Sequence, residues 1–157
     1  MRVSSGVVER FLAESNLIEG IKEVRAGELE AAQEFLNGEI PSLSELQKFV
    51  GVCEPSAVLR DKKGLNVRVG NHFPPPGGPE IKVKLAALLC RVNSDDNYHP
   101  YKAHLDYETL HPFTDCNGRS GRILWAWQMV NQPIDKCGLG LGFLHCWYYQ
   151  SLSHSRR

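Results

Sequence analysis

No run of about 18 apolar residues occurs anywhere in the 157-residue chain, so no membrane-spanning helix is expected. Net charge is absent too: Lys+Arg and Asp+Glu both number 18. That balance removes the general attraction on which sequence-independent nucleic-acid binding and docking to an anionic membrane depend, so neither partner is expected. The five cysteines (Cys53, Cys90, Cys116, Cys137 and Cys146) include no CxxC pair, and an odd count does not close into a disulfide framework. A reducing compartment, the cytoplasm, suits them. The opening residues hold no long apolar run, so a secretory leader is not expected. Repeats, low-complexity tracts and long linkers are missing as well. What is present is an average globular composition, 42% hydrophobic and 23% charged, enough to build one core and one domain over residues 1–157.

The periodicity is mostly helical. Val7, Val8, Phe11 and Leu12 share one helical face over Val7–Ala13, and Ser15–Gly20 reads as a second short piece stopped by its glycine. A helix follows over Glu23–Leu36, closed by Asn37 and Gly38. Ser42 to Glu45 forms a capping-box pattern ahead of Leu46, Phe49 and Val50. Leu65–Val69 then alternates as a strand would, with Gly70 and Asn71 as a turn and His72 and Phe73 as a short return. Prolines 74–76 end any pairing, since proline has no ladder donor. A single hairpin is not stable alone in water, so this one, spanning about 64–74, must lie on a helical body. Pro79 opens a helix through Val92. Further helices are expected over Asn97–Thr109, Gly118–Val130 and Phe143–Leu152, with the final residues frayed. The expected fold class is all-α with a β-hairpin flap.

Groups capable of chemistry concentrate in residues 111–122, HPFTDCNGRSGR. Small residues ahead of a helix leave backbone N–H groups for an anion such as phosphate. Asp115, just upstream, supplies a carboxylate suited to Mg²⁺ bridging the same phosphates. Arg119 and Arg122 are three residues apart on one helix face, and their planar forks match phosphate oxygens. His111 can take a proton from an incoming hydroxyl near neutral pH. Taken singly, each element also fits an ordinary capped turn. His99, His104 and His145 have no metal-ligand spacing and read as structural or surface residues. Trp125, Trp127, Trp147, Tyr148 and Tyr149 occupy helical positions and read as core.

The stretch resembles the signature of the Fic (Fido-domain) family, HPF-x-[DE]-GNGR-x-x-R, departing from it only at Cys116, where glycine is usual. The likeness extends to the segments RVGNHFPPPGGPEI and FLHCWYYQSL. It implies a Fic-type helical bundle with a hairpin flap beside the active-site loop. It also implies transfer of AMP from ATP to a Ser, Thr or Tyr hydroxyl of a target protein. Carried across, His111 corresponds to the general base and Asp115 to the Mg²⁺ ligand. Cys116, Asn117, Gly118 and Gly121 fall with the phosphate-binding stretch. Arg119 corresponds to the residue steadying the β-phosphate, and Arg122 to the one gripping the γ-phosphate. A side chain at position 116 narrows the anion hole or resists a positive φ that glycine permits.

Residues 15–20, SNLIEG, resemble the family's inhibitory motif, [ST]-x-x-x-E-[GN]. The resemblance implies that Ser15, Glu19 and Gly20, within an inhibitory helical segment over about 1–22, restrain the site by pairing Glu19 with Arg122. The flap is expected to take in a target segment by strand addition. His72 or Phe73 at its tip either clamps that segment or, for Phe73, packs on the body. The reading is thus an autoinhibited protein adenylyltransferase using Mg²⁺ and ATP, with a homo-oligomer left open. The alternatives are a catalytically silent nucleotide- or partner-binding module, and transfer or removal of another phosphate-containing group.

Overall fold

In the computed structural model, residues 3–131 are described, and they form six helices. These are α1 (Ser5–Ile18), α2 (Glu28–Asn37), α3 (Leu43–Cys53), α4 (Pro79–Ser94), α5 (Pro100–Leu110) and α6 (Asn117–Asn131). The helix expected at Phe143–Leu152, with His145, Trp147, Tyr148 and Tyr149, lies outside the described residues. None of the six is long and apolar enough to cross a membrane. Helix α6 is the axis of the arrangement. Arg119 through Gln128 are all buried, and α6 packs against α5, α2, α3 and α1. A helix buried on every side carries its side chains into several interfaces at once. Ile123, Leu46 and Leu85 are fully buried in the core around it, each contributing about 1.5–3 kcal/mol by leaving water.

The helix boundaries follow the capping chemistry, with two corrections. Helix α1 is one continuous helix, not two pieces. Ser15 does not cap a second segment, because it is buried and its hydroxyl accepts from Arg122 Nε. The helix stops where expected: Gly20 takes φ +75°, Gly20 N–H donates to Leu17 O and Ile21 N–H donates to Asn16 O. That is a Schellman ending, and it places Glu19 at the C-cap. Helix α2 begins at Glu28, five residues later than expected at Glu23. Asn16 Nδ2 donates to Glu23 O and to Glu28 Oε2, and Arg25 N–H donates to the same carboxylate, so residues 23–27 are held as a loop. Ser42 caps α3 as its pattern foretold, accepting from Glu45 N–H at 3.2 Å, but Glu45 itself turns to Lys48. His99 caps α5, with Pro100 in its first turn.

The hairpin is the main departure. Among the described residues, only isolated bridges occur, Val69 with His72 and Leu59 with Phe113. The Gly70–Asn71 turn closes through the two bonds exchanged by Val69 and His72, at 2.8 and 3.0 Å, but no strand extends over 65–69. The polar groups a ladder needs are engaged elsewhere. Leu65 O accepts from Arg60, Leu65 N–H donates to Lys62 O, Asn66 N–H donates to Gly64 O, and prolines 74–76 offer no donors on the opposite side.

Where α5 meets α6, His104 is 7% exposed, and its Nδ1 donates to Gly121 O at 3.1 Å. Burial pulls its pKa from 6.5 down to about 4, helped by the Arg122 charge and opposed by the Gly121 hydrogen bond. Above pH 6.5 the ring is neutral in folded and unfolded chains alike. Below it the unfolded chain gains a proton that the folded chain refuses until about pH 4. Stability should therefore fall with pH across that window by up to about 3 kcal/mol from this group. Urea unfolding between pH 7.5 and 4.5 should show a steeper loss for the unsubstituted chain than for His104→Gln; parallel slopes would remove His104 as the cause.

Candidate active site

The loop from His111 to Cys116 is short and holds two residues in the left-handed region, His111 at φ 50° and Cys116 at φ 67°. His111 is the C-cap of α5, and its N–H donates to Tyr107 O. Its ring Nδ1 lies 3.1 Å from Glu108 O. A carbonyl only accepts, so Nδ1 carries the proton and Nε2 is the basic nitrogen. The Glu108 carboxylate lies 3.8 Å from the same ring. The loop is clasped by Asn117: Phe113 N–H donates to its Oδ1 at 2.9 Å, and its Nδ2 donates to Phe113 O at 2.7 Å. The Asn117 side chain therefore shapes the loop; only its backbone amide belongs to the helix end.

Arg60 fixes this loop from outside. It is fully buried and donates to four carbonyls: His111 (2.7 Å), Leu110 (2.8 Å), Pro75 (2.8 Å) and Leu65 (3.1 Å). A guanidinium at the last carbonyls of a helix also meets the negative end of its dipole. Arg60 thus joins Leu65 and Pro75 to the end of α5, and no motif or periodicity marked it.

Between residues 67–69, the loop and α1 lies a cavity of about 480 Å³, whose lining includes Glu19, Arg68, His111, Asp115, Gly118 and Arg122. That is a size suited to a small-molecule ligand. The first α6 ladder bond in it runs from Ser120 N–H to Cys116 O. The amides of Asn117, Gly118 and Arg119 precede the ladder and form the positive end of the helix. The Cys116 amide is not part of this cradle, because Asp115 Oδ1 accepts from it at 2.6 Å. Asp115 is itself exposed at the cavity edge. Among the described residues, no three His, Cys, Asp or Glu side chains cluster to hold a metal without a ligand's help.

Arg122 is 1% exposed and held wholly from α1 in its described contacts: Nε to Ser15 Oγ at 2.7 Å, Nη2 to Ser15 O at 3.0 Å, and Nη2 to Glu19 Oε1 at 2.7 Å. The Glu19 carboxylate lies directly over Gly118; a Cβ there would collide with Glu19 Oε1 and come within 2.9 Å of Arg122 Nη1. A carboxylate therefore sits beside the first turn of α6, next to the Arg122 guanidinium. Arg119 is also near the cavity but turned toward α3, donating to Cys53 O at 3.2 Å, with Glu54 Oε2 at 3.6 Å.

Other expected site residues lie elsewhere. Gly121 is buried in the α5–α6 contact, where a Cβ would come within 2.9 Å of the Tyr107 ring and of Glu108 Oε1, so it serves close helix packing and does not line the cavity. His72 Nε2 donates to Thr109 O at 3.0 Å and hooks the turn to α5. Phe73 is 69% exposed under the Arg68 guanidinium, 4.9 Å from its ring centre, so it does not pack on the body. The influence of Cys53, unmarked in the sequence, with Arg119 assisting and burial opposing, holds the Cys116 thiol below its usual range, while the influence of Cys116 together with burial pushes Cys53 up.

No protein-family model matches the chain.

Cys116 stands in a conformation that costs a non-glycine residue about 1–2 kcal/mol. Glycine there would relieve that strain but lose a buried thiol and add chain entropy. Cys116→Gly should therefore stay within about 1 kcal/mol of the unsubstituted chain, and Cys116→Val, β-branched in a left-handed position, should lose about 2–3 kcal/mol. Chemical denaturation of the three proteins checks this, and equal stability of the Val and Gly variants would contradict it.

Proposed function

We propose that the chain is an autoinhibited protein adenylyltransferase of the Fic type, moving AMP from ATP to a Ser, Thr or Tyr hydroxyl of a target protein. The observation that carries the reading is the Glu19 carboxylate, seated over Gly118 and paired with Arg122 at 2.7 Å in the cavity that also holds His111 and Asp115. An internal anion sits where a phosphate-bearing ligand would meet a helix N-terminus and a guanidinium. In the family that SNLIEG and HPFTDCNGRSGR resemble, that pair is the brake.

The geometry supports the following roles. His111 Nε2, with its tautomer set by the Nδ1 bond to Glu108 O, takes the proton of the attacking hydroxyl. The hydroxyl oxygen bonds to the α-phosphorus as the bond to pyrophosphate breaks. The amides of Asn117, Gly118 and Arg119 meet the phosphate oxygens at the end of α6. Asp115, exposed at the edge with one oxygen on Cys116 N–H, is the carboxylate that would hold Mg²⁺ together with substrate phosphates, which fits that ion's habit of using few protein ligands. Bound there, the ion would neutralise charge on the phosphates. Arg122 grips the γ-phosphate once Glu19 has left it. His72 and Phe73, at the exposed turn, are placed to meet the target segment.

Glu19→Gly should raise AMP incorporation, including self-modification, by about tenfold or more. That corresponds to about 1.5 kcal/mol, the low end for a charge-assisted bond, because the Glu19 side chain is 39% exposed. Labelled ATP, a cell lysate and matched protein concentrations provide the measurement. Arg122→Ala should not activate, since it removes the clamp with the brake. Equal, measurable rates for the unsubstituted chain and Glu19→Gly would end the autoinhibition reading. In the Glu19→Gly background, His111→Ala should lower transfer by about 10²–10⁴-fold and leave ATP affinity largely intact. Retained transfer would show that His111 is not the base.

A further inference from the structure

Helix α5 brings to the cavity a buried carboxylate whose side chain the reaction proposed above does not use. Glu108 stands one helical turn from His104 on one side and from His111 on the other, is 9% exposed and lines the cavity. Its Oε2 lies 3.8 Å from His111 Nδ1, and its Oε1 lies 3.9 Å from His104 Nε2. Across the α5–α6 contact, Gly121 leaves the room that the carboxylate fills, since a Cβ there would come within 2.9 Å of Oε1. The His104 ring is neutral down to about pH 4, so above that it brings no charge of its own to Glu108. Both acceptors of Glu108 therefore meet the same nitrogen of His111. The backbone carbonyl takes the Nδ1 proton at 3.1 Å, and the carboxylate, beyond hydrogen-bond reach, stands beside that bond as a charge.

Resting on the transfer reading above, we propose that Glu108 is a positioning residue for His111, its carboxylate beside Nδ1 raising the proton affinity of Nε2. When Nε2 takes the proton of the attacking hydroxyl, the O–H bond breaks, an N–H bond forms, and the oxygen's electron pair goes to phosphorus. The ring thereby gains one positive charge, 3.8 Å from a carboxylate largely out of water. An opposite charge within about 4–6 Å favours the charged form of a group, and burial weakens the screening between them. The Nδ1 proton stays on the ring, because the carbonyl that holds it only accepts. Glu19, Arg68, Asp115, Arg119 and Arg122 also face the cavity, and their charges act on His111 too. They are the same in every Glu108 variant, so a change at Glu108 alone isolates its contribution.

The test reads the ring and not the transfer. The full-length chain, with no ATP or target present, is titrated by proton–carbon NMR of its histidines, His111 being assigned by the signal that His111→Asn lacks. Glu108→Gln and Glu108→Met, both neutral and close in length, should each lower the pH at which His111 is half protonated by about one pH unit or more, a tenfold loss of proton affinity. Exposed His99, at the other end of α5, should keep its midpoint. Either variant suffices if the other does not fold. In the unsubstituted chain, nitrogen NMR should find the neutral ring protonated at Nδ1. A His111 midpoint that stays in place or rises in a folded variant would overturn the proposal, and so would a ring protonated at Nε2. Absent AMP incorporation with the midpoint shift intact would instead strike the transfer reading and leave the effect of Glu108 on His111 standing.

Discussion

Arg122 is a guanidinium with almost no contact with water, and a buried charge of that kind is tolerated only when its donors are met. Its described partners all come from the end of α1: the Ser15 hydroxyl, the Ser15 carbonyl and the Glu19 carboxylate. The placement of the first helix and the content of the cavity are thus one physical problem. For Glu19 to reach the end of α6, α1 must stop one residue before it, and the left-handed Gly20 makes it stop there. The buried Glu28 carboxylate braces the same turn by accepting from Asn16. Glu19 consequently neutralises Arg122 at the cavity wall.

A second buried arginine governs the other side of the cavity. Arg60 gathers four carbonyls from the flap base and the end of α5, and so sets where His111 leaves the helix. The Asn117 clasp on Phe113 then turns the chain back into α6 within a few residues. Reversal this tight requires left-handed backbone, which the chain adopts at His111 and at Cys116. At Cys116 the side chain costs strain, yet it is small and buried. The backbone path that glycine would take is therefore kept.

Much of the site was legible because it is local. Residues 111–122 lie at spacings that a loop and one helical turn bring together, so a histidine, a carboxylate and two arginines could be grouped before any fold was known. Ser42, Gly20 and Pro79 marked helix ends through capping chemistry that acts over three or four residues. The pairing of Glu19 with Arg122 was legible only through resemblance to a motif. No spacing rule connects side chains so far apart in the chain.

What the sequence determined by itself was that helices would form near α3, α4, α5 and α6, the helix ends at Ser42, Gly20 and Pro79, and the cluster of ionisable groups at 111–122, since each rests on short-range backbone preference and periodicity. Tertiary structure alone decided that residues 65–69 would not pair as a strand, although their alternation is that of one. Arg60, Lys62 and Gly64 engage backbone groups that pairing would need, and no proline donates from the far side. It also decided that Gly121 serves the α5–α6 contact and that Asn117 spends its side-chain amide on the loop. These are contacts between segments that only packing brings together, and hydrophobic period carries no information about which buried polar group finds which.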